Sequence, residues 1–220
     1  MSMAEKRQLR LAQVDLTESF SERFGTILAD PPWQFANRTG KMAPEHRRLR
    51  RYPTMTFDEI MELPVAQLVE DKSHLYLWVP NALIHEGLEV MRRWGFTYKT
   101  NIVWFKVRKD GGPDGRGVGF YFRNVTELVL FGTRGCLRTK GPGRRQTNII
   151  VSRKREHSRK PDELYDIIEQ CSPGPYLELF ARHDRPGWKQ WGNEVGTRVL
   201  REMPVRRHHV SVTPLLALIK

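Results

Sequence analysis

The sequence predicts an α/β fold built on a mostly parallel sheet, and two observations carry that reading. Apolar runs of strand length alternate with stretches whose apolar residues recur at helical spacing. The chain is also long enough, at 220 residues with 39% hydrophobic content, to bury one substantial core. The first strand is Thr26-Ile27-Leu28-Ala29, which stops at Asp30-Pro31-Pro32-Trp33 because two prolines cannot continue a central ladder. Thr56 with Glu59 three residues on has the spacing of a capping box, so a helix opens there over Ile60, Met61 and Leu63 and is bent or ended by Pro64. His74 to Val79 reads as a buried strand, followed by a helix with Leu83, Ile84, Leu88, Met91 and Trp94 on its apolar face and Gly95 as its stop. A strand over Thr100–Val107 comes next, then a Gly-rich connection from Asp110 to Gly119. A β run from Thr126 to Phe131 and a short strand at Ile149–Val151 complete this stretch. Pro161 with Asp162 and Glu163 opens a helix whose apolar face is Leu164, Ile167 and Ile168 and which Gly174 and Pro175 close. Tyr176 to Phe180 is the last strand expected, and Arg182 to Asn193 follows as a polar, aromatic string. In such a sheet ligands sit beyond the carboxyl ends of the strands.

Charge narrows the partner. Lys+Arg 37 against Asp+Glu 25 gives +12, and the pI is near 10.0, a field that attracts polyanions such as nucleic acid. A mean hydropathy of -0.56 coexists with six Trp and ten Phe, which excludes a disordered basic tail. Cys136 and Cys171 lie far apart with no Cys-x-x-Cys pair. Neither a disulfide framework nor a zinc ribbon is supported, no metal is expected, and both thiols are expected reduced and mostly buried. No stretch approaches the roughly 18 apolar residues of a membrane span. A cytosolic or nuclear protein is therefore expected, cytoplasmic and nucleoid-associated in a bacterium.

Asp30-Pro31-Pro32-Trp33 at a strand end combines a carboxylate, a rigid backbone with an outward carbonyl, and a flat indole. These are the parts of a socket for a planar amine. The exocyclic amino group of a nucleobase is a poor nucleophile because its lone pair is delocalised into the ring. Hydrogen bonds from both its N–H groups to the Asp30 carboxylate and the Pro31 carbonyl would pyramidalise the nitrogen and free that pair. Trp33 would stack on the base, a contact worth about 1–3 kcal/mol, and the base would have to be flipped out or single-stranded. The alternative is a plain turn after a strand with Trp33 in the core.

The tetrad resembles that of amino-methyltransferases, and the chain is similar over roughly residues 24–195 to the MT-A70 family of N6-adenine methyltransferases. The likeness continues through Tyr52-Pro53-Thr54-Met55, Leu77-Trp78-Val79, Ile102 to Lys106 and His157 to Glu163. It ends with Ser172-Pro173-Gly174, Glu178 to Arg182, Trp188 and Gly192-Asn193-Glu194. The resemblance implies S-adenosylmethionine as methyl donor and a Rossmann-like sheet in permuted motif order, with the tetrad early and much of the cofactor pocket late. Accordingly no Gly-x-Gly-x-x-Gly follows the first strand, and the Gly-rich loop precedes a β run rather than a helix, so it is a connection and not a phosphate cradle. Carried over by position, Asp30 to Trp33 are catalytic; Asp30 and Lys160 bind the cofactor's amino acid end. Arg182, Asn193 and Glu194 lie around its ribose. His183 and Asp184 fall where the family has a histidine and an asparagine, with a shorter spacing to Trp188. Asp15 aligns with an acid near the cofactor's adenine. Tyr52 lies in a gating loop, and Asn124 and Glu127 resemble residues facing the target adenosine, Glu127 reading equally as a satisfied edge-strand acid.

Arg47, Arg48, Arg50 and Arg51 follow the tetrad, and a second cluster runs from Arg153 to Lys160. Both are expected to contact phosphates, with Lys140, Arg144 and Arg145 as an extension of that footprint. The resulting expectation is a catalytic domain over residues 1–195 and a basic, then apolar, extension over 196–220. Its activity is methylation of adenine N6 in DNA. RNA as the substrate, or a non-catalytic nucleic-acid-binding subunit, are the alternatives, and a homodimer or partner subunit is compatible with both.

Overall fold

The computed structural model describes residues 15–34, 54–115, 121–153 and 159–192. Strands β1 (Phe24–Ala29), β2 (Val69–Val79), β3 (Thr97–Val107), β4 (Thr126–Arg134), β5 (Ile149–Arg153), β6 (Tyr176–Leu179) and β7 (Trp188–Trp191) form one sheet in the order β5-β3-β4-β2-β1-β6-β7. All pairings are parallel except those of β4, which is antiparallel to both β2 and β3. This is the mostly parallel, Rossmann-like sheet expected. Helices α1 (Phe57–Met61), α2 (Ile84–Arg93) and α3 (Glu163–Cys171) connect or cover its strands.

Alternation along β1 assigns the two faces. Ile27 and Ala29 pack with Leu75, Leu77, Met91 and Trp94 in the core on the α1–α2 side. Leu28 packs with Tyr76, Trp78, Trp104, Leu164 and Ile168 in the core under α3. The same parity puts whatever follows at residue 30 on the α3 side.

Local signals are realised where they are covalently short-ranged. The Thr56 hydroxyl accepts from the Glu59 N–H at 3.3 Å and the Glu59 carboxylate from the Thr56 N–H at 2.7 Å, closing the capping box. Gly95 takes φ +84, the left-handed conformation that ends α2. β3 and β4 each run three residues beyond their expected ends, to Thr97 and Arg134, and two elements differ further. β2 begins five residues before His74, because Val69 pairs with Phe24 and Ser73 with Arg134 although the stretch between them is polar. The string after Arg182 contains β7, an edge strand. Cys136 is exposed, against expectation, since it lies beyond the end of β4, whereas Cys171 is buried at the end of α3; both are free.

Lys140 donates its backbone N–H to the Cys171 carbonyl, and the turn at Pro142–Arg145 follows. That is the C-terminal end of α3 and the N-terminal end of β6. Lys140, Arg144 and Arg145 are thus at the opposite end of the sheet from Asp30 and do not extend its electrostatic footprint. Residues 196–220, the expected extension, lie outside the described residues.

Candidate active site

β1 lies between β2 and β6, so the chain leaves it to one side and returns on the other. Loops diverge there and open a crevice at the carboxyl ends of β1 and β6. A cavity of about 360 Å³ occupies that crevice, within the usual size for small-ligand sites. Leu28, Trp78 and Phe180 supply apolar wall, and Asp30, Lys160 and Glu178 are among the polar groups.

The two prolines aim the tetrad. The Trp33 N–H donates to the Pro31 carbonyl at 2.8 Å in a three-residue turn, and the Met55 N–H to the Pro32 carbonyl at 2.9 Å. The Pro31 carbonyl keeps its second lone pair for another donor. Trp33 does not offer its ring to a base: it is 6% exposed, packs in the α1–α2 core, and its indole N–H donates to the Trp78 carbonyl at 2.9 Å. The expected stacking role is corrected to that of an anchor. An indole fixed at both its face and its N–H holds the turn so that Asp30 faces the opposite side.

There Asp30 meets a row of alternating charges. Lys160 Nζ lies 3.3 Å from Asp30 Oδ1 and 3.0 Å from Glu127 Oε2, and Glu127 Oε1 is bonded in turn by Lys106. The two ammonium groups rest on indoles, Lys160 over Trp78 at 4.5 Å and Lys106 over Trp104 at 4.8 Å. Burial opposes the ammonium of Lys160, but the charges of Asp30 and Glu127 outweigh it and raise its pKa above the ordinary value. Burial likewise opposes the Glu127 carboxylate, and Lys160 and Lys106 overcome it, bringing it to about 2. Lys160 and Glu127 are thus both charged at neutral pH. β4 lies between β3 and β2, so Glu127 is not an edge-strand acid.

The far side of the cavity is lined by Arg182, His183 and Asp184, together with residues not anticipated: Glu178, Tyr165 and Arg185. Tyr165 donates its hydroxyl to Glu178 Oε1 at 2.8 Å, and the Arg185 guanidinium lies over the Tyr165 ring at 4.3 Å while pairing with Glu169 at 3.1 Å. Phe180 has φ +66, uncommon for a residue with a side chain, and turns the chain at the end of β6. Gly192 closes the neighbouring end of β7, where any Cβ would collide with the Ala181 carbonyl. Asp15, off the cavity, accepts from the Trp191 indole at 3.1 Å. Asn124 accepts from Asn81 at 3.4 Å on the rim beyond β2. Tyr52, Arg47, Arg48, Arg50, Arg51, Asn193 and Glu194 lie outside the described residues. Among the described residues no cluster of His, Cys, Asp and Glu could hold a metal ion, and no helix is long and apolar enough to cross a membrane.

Burial pushes Glu178 up to about 7 from an ordinary 4.5, the Asp30 charge adding to it against the Tyr165 hydrogen bond. A carboxyl raised by folding contributes stability that is full below about 4.5 and is lost as pH rises to about 7. Glu178→Gln, which mimics the protonated form, is therefore expected to be more stable than wild type at pH 8 by about 1–3 kcal/mol, after allowance for solvent screening. At pH 4.5 the gain vanishes. Thermal melts at both pH values check this, and a Tm difference independent of pH contradicts it.

Residues 24–194 match the MT-A70 family model. The chain belongs to the MT-A70 family. It is 33% identical over 184 residues to the N(6)-adenosine-methyltransferase MT-A70-like of Arabidopsis thaliana, covering 81% of this chain and 25% of that protein. It is 32% identical over 184 residues to the human N(6)-adenosine-methyltransferase catalytic subunit METTL3, covering 82% and 30%. With the type II methyltransferase M.MunI of Mycoplasma sp it shares 28% identity over 193 residues, covering 79% of this chain and 78% of that one. The chain thus spans between a quarter and a third of the length of the two adenosine-methyltransferases. MT-A70 methyltransferases use S-adenosylmethionine as methyl donor. The cavity's donor set fits that molecule. Lys160 and Asp30 complement an α-carboxylate and an α-amino group, Leu28 and Phe180 offer apolar wall, and the charged far side offers partners for hydroxyl groups.

Proposed function

We propose that this MT-A70 chain methylates the exocyclic N6 of adenine in DNA. The observation that carries the reading is the placement of Asp30, just past the end of β1, on the wall of a cavity whose other charged groups suit S-adenosylmethionine. When bound, the cofactor supplies an electrophilic methyl group on a sulfonium. Lys160 would hold its carboxylate, and Arg182, His183 and Asp184 its ribose side, with Asn193 and Glu194 assigned to the same end by the family likeness.

The chain's own residues do the rest. Asp30 and the free lone pair on the Pro31 carbonyl accept the two N6 hydrogens, and pyramidalisation makes the nitrogen pair available. The departing N6 proton passes to the Asp30 carboxylate oxygen that already accepts it. Trp33 holds this geometry from the core. Glu127, fixed by Lys106, keeps Lys160 beside Asp30 and presents an acceptor edge toward the base. The net charge of +12, with Arg47, Arg48, Arg50, Arg51 and the cluster ending at Arg159, supports a phosphate backbone as the rest of the substrate.

The likeness to a type II methyltransferase over most of both chains favours DNA. The adenosine-methyltransferase relatives favour a second reading, RNA. Initial rates with duplex DNA, single-stranded DNA and RNA of one adenine-containing sequence separate these: the DNA reading expects a higher kcat/KM on a DNA form, and a higher value on RNA overturns it. A homodimer or a partner subunit is compatible with either.

A further inference from the structure

Tyr121 and Phe122 are 95% and 85% exposed, whereas the next most exposed large apolar residue among the described residues, Val151, is 58%. They stand in the connection from β3 to β4. Because β4 runs antiparallel to β2, its first residues lie at the carboxyl end of β2, on the same rim as Asp30. This connection is pinned at its base. Arg123 donates to the Gly115 carbonyl at 3.0 Å, the Asp114 N–H to the Lys106 carbonyl at 2.9 Å, and the Lys106 N–H to the Val125 carbonyl at 2.8 Å. Asn81, just after β2, donates to the Thr126 carbonyl at 3.2 Å. The two exposed rings therefore stand on a fixed stem rather than a frayed end.

Glu127 is six positions on from Tyr121, so the pair lies within about 20 Å of the charge row around Lys160. A protein partner is a poor match: two aromatic side chains bury about 150–250 Å² each, well short of the ~800 Å² per partner of a stable interface. A nucleic-acid strand is a good match, since unstacked bases take aromatic faces singly. Arg123 adjoins the pair, Lys109 stands in the same connection, and the chain carries an excess of cations for the phosphates.

We propose that Tyr121 and Phe122 form a stacking platform for unpaired bases flanking the target adenine. This rests on the reading of the cavity as an adenine-methylating site in nucleic acid and adds how the strand beside the target is held. The platform reads no base edge, so it holds the strand without fixing its sequence.

The test is fluorescence anisotropy of a labelled, adenine-containing single-stranded oligonucleotide with the full chain. The variants are Tyr121→Ala/Phe122→Ala and Tyr121→Trp/Phe122→Trp. The alanine pair is expected to weaken binding by about 10- to 100-fold. The tryptophan pair should bind as wild type does, and the dependence of log affinity on log salt should keep its slope because no cation is removed. Equal affinity for wild type and the alanine pair overturns the proposal, as does a tryptophan pair as weak as the alanine pair. Loss of self-association in sedimentation, with oligonucleotide binding intact, overturns it in favour of a protein contact. Wild type that binds no DNA or RNA oligonucleotide defeats the underlying nucleic-acid reading; wild type that binds while the alanine pair binds equally well defeats only the platform.

Discussion

Asp30→Asn is expected to lower kcat at saturating cofactor by on the order of 10²–10⁴-fold while leaving the fold intact. Asn keeps the size of the side chain and one oxygen. It loses the charge that accepts strongly from N6, and it brings an NH₂ that points a donor at a donor. Asp30 sits at a strand end with its side chain 27% exposed and an ion pair to Lys160, so the cost to stability should stay near the ~1 kcal/mol of a partly exposed pair. Steady-state kinetics and a thermal melt on the same preparation separate the two effects. A kcat within a few-fold of wild type would remove Asp30 from the chemistry. A large fall in Tm would mean the residue is structural first.

Lys160→Met is expected to weaken binding of S-adenosylmethionine by roughly 10- to 100-fold, the range of a lost hydrogen bond to a charged group. The substitution keeps the stem over the Trp78 ring and removes only the ammonium. It also leaves Asp30 and Glu127 near one another with no cation between them, so part of the loss is electrostatic disorder of the pocket. Glu127→Gln is the informative companion. It removes one of the two carboxylates that hold Lys160, and should loosen the cofactor less than Lys160→Met does. Equilibrium titration of the cofactor against wild type and both variants checks this. If Lys160→Met binds as wild type does, the ion-paired lysine is structural and the carboxylate of the ligand is held elsewhere.

The features legible in the sequence were those fixed by a few neighbouring residues. Thr56 with Glu59, Gly95 after α2, and the stop at Pro31-Pro32 all act within one turn or one strand end, so their chemistry is written in adjacent letters. β7 was not legible because Trp188-Lys189-Gln190-Trp191 is a short edge strand whose pairing to β6, rather than its polarity, makes it a strand. The first half of β2 escaped for the same reason. The charge row was hidden more deeply. Lys106 and Glu127 lie 21 residues apart and meet through the antiparallel register of β3 on β4, and Lys160 joins them from the segment before α3. Nothing in local patterning announces such a meeting. Glu178 did leave a signal: an acid in the middle of the apolar run Tyr176–Phe180, facing the α3 side beside Leu28. Trp33 shows the converse, a motif residue whose expected contact with a ligand gave way to the packing of a large indole, because burying its ring and satisfying its N–H outweighs leaving it at a rim.

Where the methyl group arrives decides the proposed chemistry most directly. Incubation with S-adenosylmethionine labelled in its methyl group and an adenine-containing polynucleotide, then digestion to nucleosides and mass spectrometry, should show the label on adenine N6 alone, with almost none from Asp30→Asn. Label on another atom or no label in any polynucleotide would contradict it, and so would equal yields from wild type and Asp30→Asn.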